Sequence, residues 1–124
     1  MEPISTDQAP GAIGPYSQAV RVGDFLFASG QIPLTAGGDR ISGSAAEQAA
    51  QCLDNVEAIL KAAGLGLADV VKTTVYLTDM DDFASVNEVY GSRFSEPYPA
   101  RSAVAVAALP KGVNVEIEVI AHAG

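Results

Sequence analysis

Hydrophobic and polar positions alternate between two periods along this chain, and each change of period marks an element. Tyr16 to Val22 and Phe25 to Gln31 are strand-like runs on either side of Gly23-Asp24. That dipeptide is a reversed-order relative of the usual two-residue hairpin turn, so the runs predict a β-hairpin. Residues 33–43 are polar and turn-rich and read as a loop. From Ser44 the period becomes 3.6: Ala49, Cys52, Leu53, Val56, Ile59, Leu60 and Ala63 recur at helical spacing. Ser44-x-x-Glu47 supplies a capping box ahead of them, and Gly64 supplies a stop. Asp69 to Thr78 turns β-branched and predicts a strand. The acids of Asp79-Met80-Asp81-Asp82 suit the positive end of a second helix, which carries Phe83, Val86, Asn87, Tyr90 and Phe94 on one face. Strands over Ser102 to Val106 and Val113 to Ala121, separated by the Leu109-Pro110-Lys111-Gly112 turn, complete the order ββαβαββ. This is an α+β chain with one sheet and two helices.

Two helices cover only one face of a sheet, yet several of these strands are apolar on both. Between Phe25 and Ile32 one face carries Phe25 and Phe27, and the other carries Leu26, Ala28 and Ile32. A sheet with one wet face alternates cleanly, and a monomer exposing that much apolar surface is prone to association. A closed homo-oligomer is therefore expected, although the pattern leaves the subunit number open.

At 124 residues and 48% hydrophobic, the chain fits a single domain, 1–124, with a real core. No run approaches the roughly 20 apolar residues of a membrane span, and Met1-Glu2-Pro3-Ile4 lacks the basic start and apolar stretch of a signal peptide. With the lone cysteine, Cys52, this predicts a cytoplasmic protein without disulfides. His122 is the only histidine, so zinc and histidine-based hydrolysis are disfavoured. The net charge of −8 reflects fifteen acids against seven cations. Those cations are scattered singly, with no cluster to track a phosphate backbone, so nucleic acid is not an expected partner; without a spanning apolar run, neither is a membrane.

The candidate chemistry lies mostly near the C-terminus. Arg101 follows Tyr98-Pro99-Ala100 at the approach to a strand; an arginine there can grip a carboxylate at two points, although a surface arginine or a partner for a local acid is the commoner use. Glu116 stands between Val115 and Ile117 in a run that also reads as a strand with one solvated face. Gly14-Pro15-Tyr16 reads as a turn that pins an aromatic, and Ser29-Gly30-Gln31 as a strand end with a small residue at a tight packing point. Gly11-Ala12-Ile13-Gly14 precedes no helix and is no dinucleotide fingerprint; P-loop, Gly-x-Ser-x-Gly and His-Glu-x-x-His motifs are absent.

Several blocks together resemble the Rid (reactive intermediate deaminase) family, also called YjgF-type proteins. They are Gly14-Pro15-Tyr16-Ser17-Gln18-Ala19, Ser29-Gly30-Gln31-Ile32-Pro33, Leu53-Asp54-Asn55-Val56, Val71-Lys72-Thr73-Thr74-Val75, Asp82-Phe83 with Val86-Asn87, and Pro99-Ala100-Arg101-Ser102 through Val115-Glu116-Ile117. They run nearly end to end in the family's order. The resemblance implies a chorismate-mutase-like α+β fold with one mixed sheet, and a homotrimer with a barrel-like centre and sites between subunits. It also implies hydrolysis of enamines and imines such as 2-aminoacrylate and 2-iminopropanoate to 2-oxo acids and ammonia, without metal or cofactor. By position Arg101 would hold the substrate carboxylate, Glu116 would handle the attacking water, and Tyr16 and Ser29 would complete the pocket. Asn87 also matches, chiefly as a helix and pocket-wall residue. Many relatives carry a cysteine two residues after the arginine; this chain has Ala103, so thiol-dependent behaviour is not carried over. A non-catalytic trimer that senses small carboxylates or acts as a holdase, and a ribonuclease or translation inhibitor, are the rival readings.

Overall fold

The Ser44 capping box forms as its spacing predicts in the computed structural model, which describes residues 1–124. Ser44 Oγ accepts from Glu47 N at 3.2 Å, and Glu47 Oε1 accepts from Ser44 N at 3.3 Å. Two amides that a helix start leaves open are thereby paired. Helix α1 (Ala45–Ala62) ends at Ala63, after which Gly64 takes φ 77°. That left-handed residue lets Gly64 N reach Lys61 O and Leu65 N reach Leu60 O, closing the last turn.

Strands β2 (Ala19–Val22) and β3 (Phe25–Ala28) form the predicted hairpin, with Val22 opposite Phe25 around the Gly23-Asp24 turn. Both are shorter than the apolar runs that announce them. Gln31 instead exchanges backbone hydrogen bonds with Ile117, so the chain leaves its hairpin partner after Ser29. The sequence pattern misses β1 (Glu2–Ile4), which pairs antiparallel with β2 through Glu2–Arg21 and Ile4–Ala19. It has three residues, too few for a period, and its central Pro3 is tolerated because the strand lies at the sheet edge.

Strand β4 (Val70–Leu77), helix α2 (Phe83–Arg93) and strand β5 (Ala100–Ala105) form a crossover unit with β4 and β5 parallel. Strand β6 (Val115–His122) inserts between β3 and β4, antiparallel to both. The observed order is thus βββαβαββ, and the single mixed sheet runs β1-β2-β3-β6-β4-β5. The core lies between this sheet and the two helices: Leu53, Val56, Ile59 and Leu60 of α1 meet Leu26, Val75, Ile117 and Val119 of the strands. No helix is long and apolar enough to cross a membrane.

The sheet's other face is uncovered in the single chain. Leu26 is 1% exposed, whereas its neighbours Phe25 and Phe27 are 43% and 42% exposed, dividing β3 between faces as its pattern predicts. Along β6 the buried Val115, Ile117, Val119 and Ala121 alternate with half-buried Glu116, Glu118, Ile120 and His122. Edge strand β5 is exposed at every residue except half-buried Ala103.

Candidate active site

Arg101 is placed by strand pairing. It stands opposite Thr73 of β4, whose buried hydroxyl pairs with the Tyr90 hydroxyl of α2 at 2.8 Å, so Arg101 points to the helix side of the sheet. There its guanidinium carbon lies 4.8 Å from the centre of the Tyr90 ring and 5.4 Å from that of Phe83. Such stacking fixes the plane of the guanidinium fork. One nitrogen donates to Asn87 Oδ1 at 2.6 Å. Asn87 is thus more than a wall residue: it orients the arginine. No acid claims Arg101, since both ion pairs in the chain belong to Arg93 with Asp54 and Glu57. The remaining donors face a cavity of about 440 Å³ lined by Asn87, Tyr90, Gly91, Tyr98, Pro99 and Arg101. Phe83, Tyr90 and Asn87 share one helix face, a signal visible in the sequence; Tyr98 gave none. Ala103 follows on the same side, and its methyl leaves no thiol beside the guanidinium.

Glu116 occupies the opposite face, where β6 sets it directly across from Tyr76 of β4. Its carboxylate lies over Gly30, and a Cβ at that position would collide with it. The small residue at the end of β3 is therefore the tight packing point that the sequence indicates. Burial first, and the charge of Glu118 second, raise the proton affinity of Glu116 above that of an ordinary carboxylate. A group so shifted is suited to taking and returning protons.

Tyr16 and Ser29 border this second half. Tyr16 is exposed, and its hydroxyl accepts from Ile13 N at 3.2 Å across the Gly14 turn. The loop carrying it is pinned by buried Gln18, whose side chain accepts from Thr6 N at 2.7 Å and donates to Pro10 O at 2.7 Å. Ser29 Oγ donates to Ser17 O at 2.6 Å, which holds the two strand ends together. Tyr16 and Gly30 share a cavity of about 390 Å³ with Gln31, Ile32 and Lys111. A larger hollow of about 790 Å³ runs beside residues 3–18, but its only carboxylate is exposed Asp7 and it holds no cation.

The five residues singled out from the sequence therefore form two groups. Arg101 and Asn87 stand on the helix side at the β5 edge; Glu116, beside Gly30, stands on the open side, with Tyr16 and Ser29 at the adjoining strand ends. Two strand spacings, about 10 Å, separate Arg101 from Glu116 even before the sheet's thickness is counted. One chain does not bring them onto one small molecule. Cys52 supplies no alternative nucleophile: it is buried, its thiol donates to Val115 O at 3.7 Å, and burial pushes its pKa far up. No three potential metal ligands converge.

Comparison with known proteins agrees with this architecture. A family model described as endoribonuclease L-PSP matches residues 6–123. A RutC family protein of Sinorhizobium fredii is 60% identical over 97% of this chain and 96% of its own length. The human 2-iminobutanoate/2-iminopropanoate deaminase is 54% identical over 98% of this chain and 89% of its own. A crystal structure of Escherichia coli TdcF with bound serine superposes with a TM-score of 0.95 at 49% identity, covering 100% of each chain. The chain belongs to the endoribonuclease L-PSP family, the Rid or YjgF family that its sequence blocks resemble.

Proposed function

We propose that this protein hydrolyses reactive 2-imino acids, such as 2-iminopropanoate formed from 2-aminoacrylate, to 2-oxo acids and ammonia, in sites built between subunits of a homotrimer. The observation that carries this reading is the guanidinium of Arg101, stacked on Tyr90, oriented by Asn87 and left without an acid partner. A planar two-point donor of that kind fits a carboxylate. The deaminase name of the human relative and the serine bound by TdcF, a small molecule with a carboxylate, support the same substrate class. Because Glu116 faces away from Arg101 in its own chain, each site would join Arg101 and Asn87 of one subunit to Glu116, Tyr16 and Ser29 of the next. Burying Phe25, Phe27 and the exposed edge of β5 gives the same association an apolar driving force.

The chemistry needs little else. The imine carbon C2 is electrophilic, and the clamp sets it one bond from the held carboxylate. Glu116 takes a proton from water as the oxygen bonds to C2. The C=N π pair moves to nitrogen, which takes that proton to give the carbinolamine; the carbinol O–H proton then passes through Glu116 to nitrogen as the C–N bond breaks and the C2=O bond forms, so one water is consumed and one ammonia leaves with the 2-oxo acid.

The ribonuclease in the family's description is less well served by these residues. The one histidine, His122, packs edge-on against Phe25 with ring centres 4.8 Å apart, and acids outnumber cations by fifteen to seven. The decisive measurement is ammonia and 2-oxo acid release when imines are generated in situ by an amino-acid oxidase or dehydratase, across several parent amino acids. Release well above the spontaneous rate is expected. A purely spontaneous rate would leave a carboxylate sensor or holdase as the surviving reading. Light scattering should give a trimer at micromolar concentration; a stable monomer would overturn the intersubunit site.

A further inference from the structure

On the open face of the sheet, Tyr76 stands directly across from Glu116, yet its hydroxyl donates not to that carboxylate but to Glu118 Oε1 at 2.8 Å. Glu116 and Glu118 are two residues apart on one strand, so both side chains project from the same face about 7 Å apart. The arrangement treats two neighbouring carboxylates differently. One is tethered by a phenol; the other lies over Gly30 with no donor from the protein.

We propose that Glu118, tethered by Tyr76, is a positioning residue for Glu116: it sets a second carboxylate beside the reacting one and keeps the Tyr76 hydroxyl away from it. This rests on Glu116 being the general base, and it assigns a role to residues outside the set that would touch substrate. Were Tyr76 to donate to Glu116 instead, the hydrogen bond would stabilise the carboxylate and weaken it as a base. The tether removes that option, and the like charge acts in the direction of stronger basicity.

The other groups around Glu116 do not cancel this effect. From α1 the buried Cys52 thiol, its acidity suppressed by burial, stays neutral. The Tyr76 phenol on β4 is made less acidic by its bond to Glu118 and remains a donor. Lys72, on the same face of β4, lies across from Ile120 and bonds to Ser102 Oγ at 3.2 Å. Gly30 and Gln31 at the end of β3 are uncharged, and Lys111 lies in the adjoining cavity without an acid partner.

The test is the pH dependence of kcat/KM. Glu118→Gln keeps an acceptor for Tyr76 and removes only the charge, so the acidic limb should move down by about 0.5 pH unit or more. Turnover on the plateau should fall a few-fold as the base weakens. Glu118→Thr, which suits a strand and also lacks the charge, should move the limb the same way and covers the case in which the glutamine variant folds poorly. Glu116→Gln measured alongside separates the two ideas. If it is inactive while neither Glu118 variant moves the limb, the positioning role is wrong and the base assignment stands. If it turns over like the parent, the base assignment fails and this inference falls with it.

Discussion

Arg101→Lys is expected to lower kcat/KM for 2-iminopropanoate roughly 100- to 1,000-fold, about 3–4 kcal/mol of transition-state binding, with the oligomer intact. Lysine keeps the positive charge but offers a compact ammonium in place of a planar fork. It also loses the flat surface that stacks on Tyr90 and Phe83, and so the orientation that Asn87 reinforces from one side. Charge alone would then attract the substrate without fixing C2 beside the water. Arg101→Ala should go further and abolish binding of pyruvate, an unreactive mimic of the substrate acid. Steady-state kinetics and calorimetry with pyruvate check both statements. A folded, assembled Arg101→Lys variant with near-normal turnover would show that the carboxylate is held elsewhere.

Glu116→Gln should leave a different signature. The amide preserves the shape that rests on Gly30 and removes only the basicity, so kcat should fall by about 10²–10⁴-fold, the usual worth of general acid–base catalysis. Pyruvate affinity should hold or improve slightly, because a negative charge has been taken from the neighbourhood of an anion. The pH profile supplies a second readout. Burial and Glu118 raise the pKa of Glu116, and the base works only when ionised. Activity should therefore be lost as pH falls through a value above the ordinary carboxylate range, and the residual activity of Glu116→Gln should lack that limb. A variant whose pyruvate affinity collapses in step with its turnover would make Glu116 a binding residue.

What the sequence declares most clearly is set by contacts close along the chain. Ser44 and Glu47 announce the start of α1 because a capping box is a local exchange of hydrogen bonds. Phe25 and Leu26 fall on opposite faces because strand alternation has a period of two. Strand β1 escapes notice because it draws its stability from pairing with β2, not from its own composition. The partition of the site is hidden for a related reason. Alternation within β5 fixes that Arg101 and Ala103 share a face, but only the parallel pairing with β4 decides which face that is. Arg101 and Glu116 were both legible as candidates, and the sheet standing between them was not. The Arg101–Asn87 contact likewise joins a helix to a strand 14 residues away, and helical periodicity alone gives no hint of the partner.

The placement of Arg101 and Glu116 on opposite sides of one sheet also bears on inheritance. In the proposed trimer each pocket borrows its clamp from one copy and its base from the next, so no gene product owns a complete centre. Two alleles, one damaged at Arg101 and the other at Glu116, would each be null alone. Coexpressed, they would assemble mixed rings in which the junction pairing the sound clamp of one copy with the sound base of the other still works. Two dead genes would then complement each other, whereas two lesions in the same half of the pocket would not.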